Sequence, residues 1–141
     1  MSDLNREDLT ILGLDPGRDK CGAAVMDSQQ QVVYHQVVDS DRAIAIIEQL
    51  VKEHGVDLIV MGNGTTSKAW QQQIEFNLTI ALATVNEANS TLEARDRYWQ
   101  MYPPKGLKAL MPIGLRTPPR PVDDIVAILL IERYLASATS S

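Results

Sequence analysis

Apolar residues arrive along this chain in short blocks, and the spacing inside the blocks switches between two periods. Leu9–Asp15 reads as an apolar strand that ends on a carboxylate. After the turn at Gly17, residues 22–27 and 31–38 read as two more strands. The gaps between them are short, so the first three strands form an antiparallel meander. Ser40 or Asp41 caps a helix whose Ile44, Ile47, Leu50 and Val51 recur at helical spacing, and Gly55 stops it. Leu58–Met61 is short and wholly apolar, as a central parallel strand is. Gly62-Asn63-Gly64 turns the chain into a helix from Ser67 to about Phe76, and Thr79–Glu87 reads as a fifth strand. Ser90, with Glu93 three positions on, has the capping-box pattern. Met101–Pro119 is too rich in Pro and Gly to be regular. Pro121 then opens a last helix with Ile125, Ile128, Leu129 and Leu135 on its apolar side. The order β-β-β-α-β-α-β-α-α predicts an α/β domain, a mixed five-stranded sheet flanked by helices.

Composition narrows the class. The chain has 141 residues, enough for a single domain over 1–141, with 1–8 and 137–141 read as loose termini. No apolar run approaches the ~20 residues a membrane helix needs, so no membrane partner is expected. The polar N-terminus does not resemble a signal peptide, and a single cysteine, Cys21, leaves no internal disulfide; a cytoplasmic location is the default. His35 and His54 lack metal-ligand spacing, which disfavours a zinc site or a Ser-His-Asp hydrolase. Net charge is −5, but Arg95, Arg97, Lys105, Lys108, Arg116 and Arg120 face one acid, Asp96, in a segment of net +5, leaving −10 elsewhere. A local field of that kind steers a polyanion. A solvated basic loop is the commoner meaning of such a run.

Three acids stand at element ends: Asp15 closes the first strand, Glu87 the fifth, and Asp123 begins the last helix with Asp124 beside it. In an open sheet, functional groups gather outside the carboxyl ends of strands. Each acid also has an ordinary structural use: Asp15 in an Asp-Pro-Gly turn, Glu87 on a surface, Asp123 and Asp124 against a helix dipole. Neighbouring helix positions diverge by ~100°, so at most one of Asp123 and Asp124 faces a shared site well. Together the carboxylates suit hard cations, Mg²⁺ or Mn²⁺, and metal-assisted phosphodiester hydrolysis.

Four segments in order resemble one family: residues 11–17 with 22–25, residues 59–62, Asn86-Glu87-Ala88-Asn89-Ser90-Thr91-Leu92-Glu93-Ala94, and residues 122–130. Over about Leu9 to Leu135 the chain resembles the YqgF (RuvX) family, described as Holliday junction resolvases and as pre-16S rRNA processing nucleases, with a ribonuclease H-like fold. The resemblance implies a metal-dependent endonuclease acting on branched DNA or precursor ribosomal RNA. Its catalytic, metal-binding acids fall on Asp15, Glu87 and Asp123, with Asp124 as a helper. Four positions depart from the family pattern. Asn86 stands for its Asp and Ala88 for its Arg. Arg18 stands for a small hydroxyl residue, and the Gly62 loop lacks the usual proline.

On this reading Arg18 and the six basic residues from Arg95 to Arg120 contact phosphates, with Tyr98, Trp99 and Tyr102 available for stacking. Symmetric resolution of a junction favours a homodimer. The alternative is a nucleic-acid- or protein-binding module whose site has decayed at Asn86 and Ala88. A sugar-kinase or actin-type ATPase ranks last, because one domain lacks the second lobe that encloses ATP.

Overall fold

The computed structural model describes residues 8–112 and 115–139. Five strands and four helices follow in the expected order: β1 (Ile11–Asp15), β2 (Lys20–Met26), β3 (Val32–Asp39), α1 (Ala43–His54), β4 (Leu58–Gly62), α2 (Ser67–Asn77), β5 (Ala81–Val85), α3 (Ser90–Met101) and α4 (Asp123–Thr139). They form one sheet in the order β3-β2-β1-β4-β5. The first three strands are antiparallel, and β4 and β5 run parallel to β1.

The period-two alternation of β1 divides the core. Leu12 and Leu14 face one layer with Cys21, Ala23, Ile59 and Met61, covered by α1 and α2. Ile11 faces the other with Ala24, Val60 and α4. Gly13 belongs to the α4 face: a Cβ there would stand 2.3 Å from the Ala127 carbonyl oxygen. Asp15 follows at the next even step and shares that face. α4 lies between the sheet and α3 and is buried all round from Asp124 to Ile131. The sequence pattern assigned it one apolar side. Coverage on both sides explains why its apolar residues run on continuously.

Several local readings change. Gly55 ends α1 in the left-handed region at φ 64°, as a C-terminal glycine does. The helix proposed from Ser40 opens with a 3-10 turn over Ser40–Arg42. β5 is shorter than Thr79–Glu87, so Glu87 sits in the loop beyond it. Ser90 is the first residue of α3 rather than its cap. Asn89 precedes it at φ 62° with no side-chain cap bond, and Glu93 turns away to Arg133. The capping box is therefore absent. The Pro-rich stretch contains a 3-10 turn, Gly106–Leu110. The expected loose tail is helical as far as Thr139, while residues 140–141 and most of the 1–8 leader lie outside the described residues. Among the described residues no helix is long and apolar enough to cross a membrane.

Candidate metal centre

One face of one sheet edge collects the acids. Asp15 at the end of β1 pairs across to Gly22. Gly22 has no side chain for a reason: a Cβ there would fall 1.8 Å from the Asp123 carbonyl oxygen. The first turn of α4 thus rests directly on β2, which sets Asp123 beside Asp15. On the other flank, Leu14 pairs with Met61 and the chain continues into Gly62. A Cβ at Gly62 would be 2.9 Å from Glu87 Oε1, and one at Gly64 only 2.2 Å. These two glycines form a cradle that admits the Glu87 carboxylate. Hydrogen bonds shape its loop: Asn63 N–H donates to the Val85 carbonyl at 3.0 Å, Ala88 N–H to Asn86 Oδ1 at 2.9 Å, and Ser90 N–H to the Glu87 carbonyl at 3.1 Å.

The electrostatics register the convergence. Burial, then the charges of Asp123 and Glu87, push the Asp15 carboxyl up from 3.8 to about 7. Burial, then Asp124, raises Asp123 as well. Like charges gathered in a partly desolvated site disfavour ionisation of the most enclosed member. Among the described residues no three His, Cys, Asp or Glu side chains are already grouped closely enough to hold a metal. The acids are in Coulombic reach of one another without forming a closed cage. Their all-oxygen donor set and concentrated negative charge fit a hard divalent cation, which would relieve the repulsion that Asp15 registers.

Asp124 is placed elsewhere. It is 2% exposed, and both its oxygens are engaged. Arg120 donates Nη1 to Oδ1 at 2.9 Å and Nη2 to Oδ2 at 3.3 Å, and His35 Nδ1 donates to Oδ2 at 2.6 Å. Burial pushes this carboxyl up, but the Arg120 and His35 bonds outweigh it and hold it below its ordinary value. Asp124 pins the start of α4 to β3, so the structure does not bring it in as a helper ligand. The ~100° rotation between adjacent helix positions explains the split.

The basic segment divides similarly. Arg97 forms a bidentate pair with Glu132 at 2.8 and 3.0 Å. Arg116 donates to the carbonyls of Met111 and Ala109 at 2.9 and 3.2 Å, and Arg120 is committed to Asp124 and lies over the Tyr98 ring. These three hold the Pro-rich segment and α3 in place rather than presenting free charge. Arg95 and Lys105 are exposed; the side chain of Lys108 lies outside the described residues. Arg18 lies off the Asp15 face, lining a groove of about 580 Å³ with Ser40, Asp41, Ile44, Thr66 and Trp70. Tyr98 and Trp99 are core residues in edge-to-face contact at 5.0 Å, so stacking on bases is not open to them; Tyr102 is exposed.

Sequence reading also missed residues. Gly22, Gly62 and Gly64 make the close approaches, and their signal was the glycine spacing in β2 and after β4. His35 and Arg133 carried no local signal, because their partners lie 89 and 47 positions away.

Comparison with known proteins agrees with this architecture. The family model described as the Tex protein YqgF-like domain matches residues 9–95. The transcriptional accessory protein Tex of Neisseria gonorrhoeae is 41% identical over 64 residues, which is 43% of this chain and 8% of that protein. Protein tex of Bordetella pertussis is 40% identical over 67 residues, again 8% of its length. The matched stretch is thus a small part of these relatives. In the solved structure of RuvC from Thermus thermophilus the fold is shared at 12% identity, with a TM-score of 0.50 over 94% of this chain and 98% of that one. The mixed sheet with flanking helices is the ribonuclease H-like fold expected from the sequence.

Proposed function

The chain belongs to the Tex protein YqgF-like domain family, and on that premise we propose that it is a divalent-metal-dependent nuclease acting on structured nucleic acid in the cytoplasm. The observation that carries the reading is the placement of three carboxylates at one end of the sheet: Asp15 at the end of β1, Asp123 set beside it by the Gly22 contact, and Glu87 in the cradle of Gly62 and Gly64. Asp15, Glu87 and Asp123 would hold Mg²⁺ or Mn²⁺. When bound, the metal supplies a polarised phosphodiester and an activated water. The protein's own share is positional. β1 and α4 fix two carboxylates through the Gly22 contact, and the glycine cradle admits the third. Asp15, with its carboxyl raised to about 7, would have to lose its proton to hold the cation, so binding would strengthen as pH rises through neutrality. The exposed Arg95 and Lys105 would meet phosphates flanking the site.

The test is cleavage of a labelled panel: a four-way DNA junction, a precursor ribosomal RNA end and their linear duplexes, with Mg²⁺ or Mn²⁺ and with chelator. Metal-dependent cutting that disappears in Asp15→Asn supports the reading; full activity in that variant sinks it. Sedimentation of the chain alone and on the junction tests for the homodimer that symmetric cutting requires.

A second reading follows from the Neisseria gonorrhoeae relative, which is named a transcriptional accessory protein rather than a nuclease. It is a non-cleaving nucleic-acid-binding module, with neutral Asn86 and Ala88 beside Glu87. Salt-sensitive binding without cleavage under any divalent metal would select it.

A further inference from the structure

We propose that Arg133 is the positioning residue for Glu87, locking the loop that carries this acid to the helix that carries Asp123. The inference rests on the reading of the three acids as a metal centre, and it concerns a residue on α4 well removed from Asp123 in sequence. Arg133 Nη1 donates to the Asn86 carbonyl at 2.7 Å, and Nη2 donates to Glu93 Oε1 at 2.9 Å. The first bond grips the backbone immediately before Glu87; the second reaches the first turn of α3 immediately after the loop. The Arg133 side chain is half-buried, at 24% exposure.

The other bonds of this loop act within it or toward the Gly62 loop: Ala88 to Asn86, Ser90 to Glu87, Asn63 to Val85. These bonds give the loop its shape and do not reach α4; the Arg133 bond to Asn86 does. α4 is buried between the sheet and α3, so it is the rigid reference for both acids. The cradle at Gly62 and Gly64 limits Glu87 on one side, and the Arg133 fork limits its backbone on the other. A planar fork can serve a carbonyl and a carboxylate at once, whereas an ammonium group is a single point donor on a flexible stem. The Glu93 half of the contact is a partly exposed ion pair and adds little by itself. The Asn86 half is what sets Glu87.

The experiment compares Arg133→Met, Arg133→Lys and Glu93→Gln in the full chain. Hydrogen exchange of the Ala88 and Ser90 amides, without metal, reads the loop. Arg133→Met should exchange at least ~10-fold faster there, Arg133→Lys in between, and Glu93→Gln like the parent. Thermal-shift titration with Mn²⁺ reads the site. Outer-shell contacts of this kind typically change metal affinity by ~10–100-fold, so Arg133→Met should bind Mn²⁺ about 10-fold more weakly and Arg133→Lys should recover part of the loss. Unchanged exchange in Arg133→Met overturns the proposal. So does an equal effect from Glu93→Gln, or faster exchange with undiminished Mn²⁺ affinity. If the parent shows no Asp15-dependent response to Mn²⁺, the metal reading fails, and exchange at Ala88 and Ser90 still decides whether Arg133 holds the Glu87 loop. Should Arg133→Met not fold, Arg133→Lys carries both measurements.

Discussion

Replacing Asp15 with asparagine should make the metal-free protein more stable. In the folded chain the Asp15 carboxyl is raised from 3.8 to about 7 by burial and by the charges of Asp123 and Glu87. The folded state therefore prefers the protonated form, and ionisation works against folding. The sign follows from that preference. Below about pH 4 the residue is protonated in both states and costs nothing. Between about pH 4 and 7 the unfolded chain ionises freely while the folded chain resists, and the penalty grows. Above about pH 7 it is constant. A difference of about 3 pH units at 1.36 kcal/mol each sets a ceiling of ~4 kcal/mol. Local relaxation and water access reduce this, and ~2 kcal/mol is a reasonable expectation for a site at the sheet rim. At about 4 °C per kcal/mol for a chain of this size, Asp15→Asn should melt about 8 °C above the parent near pH 8. The advantage should vanish near pH 4. It should also shrink in saturating Mn²⁺, because the cation relieves the parent's repulsion and has lost a ligand in the variant. Calorimetry from about pH 4 to 9 with and without Mn²⁺ is the assay. A variant that melts at or below the parent near pH 8, or with a difference independent of pH, refutes the claim that the three acids converge.

Asp124 should behave in the opposite way. Its carboxyl is held low, so its stabilisation is present above the ordinary carboxylate range and lost as pH falls through the depressed value; Asp124→Ala leaves Arg120 and His35 without their shared partner and should cost ~3–5 kcal/mol in urea unfolding at neutral pH. Gly22→Ala places a Cβ 1.8 Å from the Asp123 carbonyl oxygen, against backbone that must shift; the loss should exceed the ~1–3 kcal/mol of ordinary core overpacking, and Mn²⁺ binding followed by thermal shift should weaken beside it. Neutralising Arg95 and Lys105 together should weaken nucleic-acid binding and reduce the slope of log affinity against log salt by about 2, whereas an unchanged slope in a fluorescence-anisotropy titration would remove them from the interface. Chelation should abolish any cleavage by the parent, and restoring Mg²⁺ or Mn²⁺ should return it in a gel assay; cutting that persists in chelator would exclude a metal-dependent reaction.

The sequence by itself determined the element order and the mixed sheet, because these depend on periodicity and on turn residues that act locally. It also placed Asp15 and Asp123 at element ends, since a strand that stops on Asp-Pro-Gly and a helix that starts on Asp-Asp are written in adjacent residues. The boundary of β5 was less legible: Thr79 to Glu87 alternates weakly, and pairing with β4 rather than local pattern ends the strand at Val85. Tertiary structure alone decided what each charge does. Asp123 and Asp124 look alike in sequence, but helical rotation points one toward Asp15 and buries the other against His35 and Arg120. Arg97, Arg116 and Arg120 read as a phosphate-binding run and are spent on Glu132, backbone carbonyls and Asp124. Glu87 comes within Coulombic reach of Asp15 because Gly62 at the end of β4 and Gly64 in the following loop leave room, and Arg133 reaches its loop from α4. Charge and hydrogen bonding are satisfied by whichever group the fold brings within a few ångströms, and sequence separation carries no record of that distance.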